Sequence, residues 1–375
     1  MSERELLPVY RALLPRAAAL LPYLERVDEN RWYTNRGELV QLLEARLAGL
    51  FAAKTVMTAA NGTAAIEGAI LAHAGRATAA RPLALMPAYT FVATASAVEA
   101  CGYRPYLLDI DPATWSLDCG NLAAHPALDR AGLIVPVAPY GRAIAQRDWS
   151  DVQKRTGVPV VIDAAAAFEM ILADPARFTG DVPVTLSFQS TKAFSSGEGG
   201  AVLWSDSAGL ERVAQSLNFG FLRKRESTGA GTNGKLSEYH AAVGLASLDA
   251  WDATAAANRA VADAYRAAAQ AQSLADRLFV APQVASNYAL LDAGTAKGAG
   301  ALIAALHAQK IESRLWYGRG IHHETYWRAA ERDELPVTDR LAPALVGLPI
   351  APDVAQADIE RIISIVAGAL FNLCK

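Results

Sequence analysis

The sequence predicts an α/β protein whose larger part is a mostly parallel β-sheet flanked by helices. Short apolar segments alternate with helix-like segments between about residues 55 and 205, and each apolar segment ends in a turn of small or polar residues. From about residue 275 this alternation stops, and a strand, a helix and a long C-terminal helix predict a smaller α+β unit. We therefore expect a large domain over residues 1–250 and a small C-terminal domain over residues 251–375.

The composition is that of an ordinary globular protein. Hydrophobic residues make up 52% of the 375 positions, charged residues make up 19%, and the net charge is −3, so nothing indicates nucleic acid or an anionic membrane as a partner. The charged N-terminal segment is unlike a secretory signal, and the apolar run 362–370 is shorter than the ~20 residues that cross a bilayer. Three scattered cysteines favour neither disulfides nor zinc, which predicts a reducing, cytoplasmic location. They are Cys101, Cys119 and Cys374.

The individual elements follow from apolar spacing and turn residues. Residues 1–30 are expected to form a helical arm with prolines, residues 32–37 a loop, and residues 38–51 a helix with leucines at helical spacing. Later elements are predicted as strands at 55–58, 83–86, 103–111, 133–137, 160–162, 186–188, 201–204 and 288–291, and as helices at 64–73, from Ser237 onward, at 298–309 and at 356–373, with a loop or strand at 311–317.

The turn Asn61-Gly62-Thr63 joins a predicted strand to a predicted helix. Free N–H groups at a helix start attract anions, and Gly62 permits a phosphate to approach closely. A plain helix cap explains the same residues. Phe91 stands at the start of the next helix, where its ring can stack on a planar ligand or pack into the core.

Two charged residues follow buried strands. The Asp163 carboxylate needs a hydrogen-bond donor or a positive charge at that position. Either a protonated ring nitrogen of a ligand or the backbone N–H groups at the start of the next helix supply it. Lys192 lies in a tight turn between two apolar segments, where a desolvated amine can condense with an aldehyde; a solvated turn lysine is the alternative. Parallel sheets bind ligands at the carboxyl ends of their strands, so both residues are expected to meet Gly62 and Phe91 at one edge.

Eight motifs, in order along the chain, resemble the sugar aminotransferase family named after its DegT, DnrJ, EryC and StrS members. The resemblance spans nearly the whole chain and implies fold type I of the pyridoxal-phosphate enzymes, with a mostly parallel sheet of the seven-stranded type in the large domain. The motifs are WYTNRG near the start, NGTAA at 61–65, PAYTFVATASAV at 87–98, LDIDPATWSLD at 108–118, PYG at 139–141, VIDAAAAFE at 161–169, SFQSTK and GEGGAV within 187–202, and GTNGKLSEYHAA at 231–242.

This resemblance implies pyridoxal 5'-phosphate as the cofactor and pyridoxamine 5'-phosphate as its amine form during the reaction. It implies that Lys192 forms the Schiff base and shuttles the proton, and that Asp163 keeps the ring nitrogen protonated. Asn233 is expected to reach the phosphate of a neighbouring subunit, which implies a homodimer with shared sites. The other implied contacts are ring stacking by Phe91 and phosphate binding by Gly62, Thr63 and Ser187.

The chain departs from the family pattern at two positions. Ala166, beside the expected cofactor ring, stands where the family usually has a glutamine near the 3-hydroxyl group, and Ala138 stands where many members have a histidine. The family lysine is kept as Lys192, whereas related dehydratases and deoxygenases have histidine there. A transaminase is therefore favoured.

The expected reaction moves an amino group, with glutamate as the donor, to a keto group of a nucleotide-linked deoxysugar, in polysaccharide or antibiotic biosynthesis. Arg223 in a basic loop, Arg314 and Tyr317 are candidate substrate contacts, although the basic loop equally suits a solvated charge cluster. His322 and His323 resemble metal ligands, but no carboxylate stands at ligand spacing along the sequence, so no metal site is expected.

The amino-acid sequence leaves other functions open. A dehydratase or an aromatising enzyme of the same family would use the same lysine, and only substrate assays separate it from a transaminase. A non-catalytic regulatory relative is also compatible with the fold, although the intact Lys192 and Asp163 argue against it. A nicotinamide-dependent dehydrogenase is disfavoured because no G-x-G-x-x-G follows an early strand.

Overall fold

The computed structural model describes residues 5–373, with side chains as far as Phe371, so the first residues of the predicted arm and Cys374 lie outside the described part. None of the helices in this part combines the length and the apolar character needed to cross a membrane. The helices are α1 (Ala17–Asn30), α2 (Glu38–Leu50), α3 (Gly62–His73), α4 (Val92–Ala100), α5 (Cys119–Leu122), α6 (Gln146–Thr156), α7 (Phe168–Ala173), α8 (Pro175–Phe178), α9 (Ser207–Ser216), α10 (Glu238–Asp249), α11 (Trp251–Ala271), α12 (Ala296–Ala308), α13 (Pro336–Leu341) and α14 (Gln356–Leu373).

The strands form one large and one small sheet. The predicted strand positions are confirmed to within a few residues, and the segment 311–317 forms only isolated bridges. The strands are β1 (Val56–Ala59), β2 (Leu83–Pro87), β3 (Arg104–Leu108), β4 (Ala131–Ile134), β5 (Ile162–Asp163), β6 (Val184–Ser187), β7 (Gly200–Leu203), β8 (Leu278–Phe279), β9 (Ala289–Asp292), β10 (Glu331–Arg332) and β11 (Leu345–Leu348).

The large sheet consists of two four-stranded parts, ordered β1-β7-β6-β5 and β10-β3-β2-β4. Parallel bridges from Ile134 to Val160 and from Val137 to Asp163 connect β4 with β5. Apart from the two-residue β10, this gives seven strands, and only β7 is antiparallel to its neighbours. The predicted mostly parallel sheet is therefore confirmed, and its strands are buried on both faces, as helices on each side require.

The small sheet, ordered β11-β9-β8, is antiparallel and has its own apolar core with α11, α12 and α14. The N-terminal segment before α1 lies against this sheet, because Leu7 bridges to Ile311 and Tyr10 bridges to Ile350. The segment around Leu7 and Tyr10 thus packs against the apolar core of the small sheet. The division of the chain at residues 250 and 251 stays a prediction.

The single long helix expected after Ser237 is wrong. Ser237 does cap a helix, since its hydroxyl accepts a hydrogen bond from the backbone N–H of His240 at 3.2 Å. That helix, α10, ends at Asp249, and α11 begins at Trp251. The Trp251 ring packs edge-on against Phe168 of the large core at 4.8 Å. Tertiary packing therefore sets the break, against the uniform helix propensity of the alanine-rich sequence.

Two of the eight motifs are tied together by a buried carboxylate. Glu238, which is fully buried, accepts hydrogen bonds from the backbone N–H groups of Leu39 at 2.7 Å and Val40 at 3.4 Å. These N–H groups start α2 and have no partner within the helix. A Cβ added at Gly37 would lie 2.7 Å from the Glu238 carboxyl carbon, so glycine is needed there. The WYTNRG and SEYHAA motifs thus have a structural role.

Candidate active site

The predicted phosphate turn lies beside the end of β6. Asn61 caps α3, because its Oδ1 accepts a hydrogen bond from the backbone N–H of Ala64 at 2.8 Å. Gly62 faces Ser187, and a Cβ added at Gly62 would lie 2.7 Å from the Cβ of Ser187. Thr63 follows in the first turn of α3 and is half-buried. The structure therefore brings Gly62, Thr63 and Ser187 to the N-terminus of one helix, where backbone N–H groups attract an anion.

The close approach at Gly62 gives a testable prediction. Gly62→Ala should weaken phosphate and cofactor binding by about tenfold or more and lower protein stability, because the new methyl group overlaps Ser187. Gly49→Ala in the last turn of α2 is the matched control, since nothing lies within 4 Å of its added Cβ. That control should stabilise the protein by about 0.5–1 kcal/mol. Cofactor titration and thermal unfolding measure both effects, and equal cofactor affinity in the two variants would contradict the phosphate assignment.

Asp163 is buried at the end of β5. Its Oδ2 accepts a hydrogen bond from the Thr94 hydroxyl at 2.7 Å, and its Oδ1 accepts one from the backbone N–H of Ala165 at 3.1 Å. Burial raises the pKa of Asp163, while these hydrogen bonds and the nearby Lys192 charge oppose the rise. A cationic ligand would therefore stabilise the charged form of this buried carboxyl group further.

Lys192 lies in the loop between β6 and β7, as predicted. Its backbone N–H donates to the carbonyl oxygen of Gln189 at 2.8 Å, which closes a tight turn. Its side chain is half-buried, and Nζ donates a hydrogen bond to the Tyr288 hydroxyl at 3.3 Å. The amine therefore points toward a residue of the C-terminal segment that the sequence did not single out.

Phe91 precedes the first residue of α4 and is 55% exposed. The neighbouring Thr90 and Thr94 are buried and hydrogen-bonded to each other at 2.8 Å, and Thr94 also contacts Asp163. Thr94 thus links the start of α4 to the Asp163 carboxyl group, while the Phe91 ring stays accessible to a ligand. This arrangement is compatible with stacking on a planar ligand.

Ala166 packs into a cluster of aromatic side chains. Tyr140 stacks on Tyr317 with ring centroids 4.4 Å apart, and its hydroxyl is 3.0 Å from that of Tyr89. Tyr140 has a φ of 54°, a left-handed conformation that costs on the order of 1–3 kcal/mol for a bulky residue. Such strain is typical of functional sites. Burial raises the pKa of both Tyr140 and Tyr317, so their hydroxyls keep their protons at neutral pH.

Of the predicted substrate residues, Tyr317 lies inside the aromatic cluster and Arg314 lies near it. The Arg314 guanidinium lies 5.3 Å from the centre of the Trp316 ring, and that ring packs against Tyr288. Arg223 pairs instead with Glu211 at 2.6 Å in an exposed position. No contact of Arg223 with the Lys192 region is found among the described residues.

Asn233 is exposed, and its Oδ1 accepts a hydrogen bond from Lys235 Nζ at 2.6 Å. The next residue, Gly234, accepts a hydrogen bond through its carbonyl oxygen from the backbone N–H of Ala60 at 2.7 Å. The loop carrying Asn233 is therefore fastened beside the strand that leads into the phosphate turn. Its expected contact with a second subunit stays a prediction.

No carboxylate stands at ligand spacing from His322 and His323 along the sequence, but the fold brings Asp339 to both rings. Asp339 Oδ1 lies 2.7 Å from Nε2 of His322 and 3.5 Å from Nε2 of His323. In the described part of the chain, these three residues form the one such group whose potential ligand atoms all lie within 4.8 Å. Asp109 brings them together by binding the N-terminus of α13 through Thr338. The absence of a metal stays a prediction.

The DegT/DnrJ/EryC1/StrS aminotransferase family model matches residues 16–367. The chain belongs to this family. Among curated proteins, Rv3402c of Mycobacterium tuberculosis (strain H37Rv) is 32% identical over 97% of this chain and 90% of its own length. The predicted family and the prediction of a sugar aminotransferase of this family are thereby confirmed.

Solved structures agree with this family membership. A putative pyridoxal-phosphate-dependent aminotransferase from Bacillus cereus superposes with a TM-score of 0.88 at 28% identity, covering 96% of this chain and all of that one. DesI, solved in the presence of its TDP-sugar product, superposes with a TM-score of 0.83 at 30% identity, covering 98% of this chain and 93% of its own. The predicted fold class is confirmed.

The sequence missed Tyr89, Tyr140, Tyr288 and Asn287 as neighbours of the site. Tyr89 and Tyr140 stand inside two quoted motifs, PAYTF and PYG, so their position beside strand ends was a usable signal. Tyr288 and Asn287 precede β9 of the small sheet, and no local pattern relates them to Lys192.

Proposed function

We propose that the protein transfers an amino group from glutamate to a keto group of a nucleotide-linked deoxysugar, with pyridoxal 5'-phosphate attached to Lys192. The observation that carries this proposal is the placement of Lys192, the buried Asp163 and the Gly62–Ser187 contact at one end of the large sheet. An amine, a carboxyl group and an anion site are the three groups that a phosphorylated pyridine aldehyde requires.

The residues fit this cofactor. The absence of a side chain at Gly62 lets the N-terminus of α3 approach Ser187, and the backbone N–H groups there suit a phosphate. The buried carboxyl group of Asp163 suits a protonated ring nitrogen. Phe91 offers an open ring face beside that carboxyl group. Ala166 supplies no side-chain donor near the 3-hydroxyl group, and the buried tyrosine hydroxyls of the adjoining cluster are the donors we assign to that region.

When bound, pyridoxal phosphate supplies an aldehyde that condenses with amines and a ring that withdraws electrons from the adjacent carbon. Asp163 holds a proton on the ring nitrogen by accepting its hydrogen bond. Lys192 Nζ would act as the general base and acid that moves a proton between the substrate carbon and the cofactor in each half of the reaction. The aromatic cluster around Tyr140 excludes water from this end of the sheet.

The nucleotide-sugar substrate is supported by the relation to DesI, which was solved with a TDP-sugar product. Tyr317 and Arg314 are the residues we assign to the sugar side of the site, and Arg223 to a more remote charge. We further propose a homodimer in which Asn233 reaches the partner's phosphate site, a role in polysaccharide or antibiotic biosynthesis, and a cytoplasmic location. The free cysteines Cys101 and Cys119 agree with that location.

The cofactor assignment is tested by borohydride reduction of the purified holoenzyme, followed by peptide mapping. The stable adduct is expected on Lys192, and an adduct elsewhere would overturn the assignment. Glutamate should then convert the visible absorbance to that of the amine form, and a TDP-linked keto-deoxysugar should restore it. Loss of water from the sugar without amination would instead support the dehydratase alternative. Light scattering of the purified protein measures whether it is a dimer.

A further inference from the structure

Three consecutive residues of the C-terminal segment bind the loop and helix that surround the candidate site. Ser286 donates hydrogen bonds to the Glu169 carboxylate from its backbone N–H at 2.7 Å and its hydroxyl at 2.8 Å. Asn287 Nδ2 donates to the carbonyl oxygen of Thr191 at 2.7 Å, and the Tyr288 hydroxyl accepts from Lys192 Nζ at 3.3 Å. We call residues 286–288 the clasp.

The clasp is buried. Ser286, Asn287 and Tyr288 are at most 5% exposed. The Tyr288 ring packs edge-on against Tyr140 at 5.1 Å and against Trp316 at 5.7 Å. A hydroxyl packed in this way offers a defined acceptor to an amine that sits on a flexible four-carbon side chain.

The clasp also contains an unsatisfied polar atom. Asn287 Oδ1 is buried and has no hydrogen-bond partner among the described residues. A buried acceptor without a donor is costly, and such atoms are rare in folded proteins. Because the same amide binds Thr191, the neighbour of Lys192, the atom lies beside the lysine loop. It is an acceptor available to a donor group that enters the site.

We propose that Tyr288 is a positioning residue that holds the Lys192 amine for proton transfer, and that Asn287 fixes the lysine loop to the small sheet. The inference rests on the proposed function and extends it to residues outside the large sheet. Lys192 Nζ donates one hydrogen to the Tyr288 oxygen, so the lone pair of the neutral amine stays free to accept the substrate proton.

The decisive variant is Tyr288→Phe, which removes the acceptor and keeps the ring contacts. Its kcat is expected to fall about 10–100-fold while KM and cofactor content stay within about threefold, because only the orientation of the amine is lost. Tyr103→Phe is the matched control: its hydroxyl donates to the backbone of Gly75 at 3.2 Å in a different part of the large domain. That control should leave kcat unchanged.

A second readout uses the apoprotein. Without the Tyr288 acceptor, Lys192 Nζ is no longer held by a hydrogen bond and is freer to meet the reagent. Labelling of Lys192 by trinitrobenzenesulfonate at pH 7.5, followed by mass spectrometry, should therefore accelerate about fivefold, the factor expected from one net hydrogen bond. Labelling of Lys154, which is exposed and paired with Asp181, should not change.

If Tyr288→Phe fails to fold, Asn287→Ser tests the same proposal by removing the bond to Thr191. Faster amide hydrogen exchange across residues 189–195 and a lower kcat are then expected. Unchanged kcat and unchanged Lys192 labelling in the variants would overturn the positioning role. A fall in kcat that merely accompanies a lower melting temperature would also overturn the positioning role. Failure of the proposed function is recognised separately, since borohydride would then label wild-type protein somewhere other than Lys192.

Discussion

Replacing Lys192 with alanine is expected to lower kcat by at least about 10³-fold, because one side chain acts as both the attachment point and the proton shuttle. Phosphate binding at the N-terminus of α3 does not depend on the lysine, so the variant should still bind the cofactor noncovalently. Steady-state amination kinetics and borohydride labelling measure the two effects. Borohydride treatment of the Lys192→Ala protein should give no reduced cofactor adduct.

Lys154→Ala is the control for loss of a lysine. Lys154 is exposed and pairs with Asp181 at 3.1 Å on the surface, so its replacement should change activity and stability very little. Near-wild-type turnover by the Lys192→Ala protein would contradict the transaminase mechanism. Added methylamine should partly restore proton transfer in that variant if Lys192 acts as the base.

Asp163→Asn is expected to reduce kcat/KM by about 10²–10³-fold, since an amide cannot stabilise a protonated ring nitrogen as a carboxylate does. The geometry should survive, because the Ala165 N–H can still donate to the amide oxygen, while the Thr94 hydroxyl can rotate to accept from the amide NH2 group and donate to Thr90. Absorbance of the bound cofactor against pH reports the loss of the ring proton. A variant with wild-type kinetics and an unchanged spectrum would show that another group interacts with the ring.

The same substitution should stabilise the apoprotein at neutral pH. Burial raises the pKa of Asp163, so the folded state binds its proton more tightly than the unfolded state does. The carboxyl group therefore favours folding at low pH, and this contribution is lost as pH rises from the unfolded pKa through the raised folded pKa. The melting temperature of the apo-variant should exceed that of wild type at pH 7.5, and the difference should vanish near pH 3.

Asp111→Asn provides the control of opposite sign. The backbone N–H of Thr114 and other donors of its turn hold the pKa of Asp111 below the usual range. This carboxylate stabilises the folded state above the unfolded pKa, and its contribution is lost as pH falls. Its replacement should therefore slightly destabilise the apoprotein at neutral pH, and a matching gain in both variants would contradict the assignment for Asp163.

The large sheet and the two charged residues of the site were predictable from the sequence because each signal was local. A strand, a turn and a helix start follow one another within a few residues at Gly62, at Phe91 and at Asp163, and parallel strands bring such turns to one edge. The position of Lys192 likewise followed from the two apolar segments on either side of it, which form β6 and β7. The order of elements along the chain, and the rule that parallel strands bring such turns to one edge of the sheet, were sufficient to predict these positions.

The rest of the site depends on contacts between distant segments, which no local pattern encodes. Tyr288 reaches Lys192 only because the small sheet docks against the large one, and Asp339 reaches His322 only because Asp109 anchors α13. The break at Ala250 likewise follows from packing of Trp251 on Phe168. In each case tertiary structure decides between conformations that the local sequence permits equally.

The pairing of β1 with β7 also determines when the site can appear during synthesis. Val56 pairs with Leu203, so the strand that leads into the phosphate turn has its neighbour only after most of the large domain has left the ribosome. Tyr288 follows much later still. Such long-range pairing slows folding and leaves the early chain with an unpaired strand edge. A nascent chain that ends before β7 therefore needs protection from aggregation, and the cofactor can stabilise only a nearly complete chain.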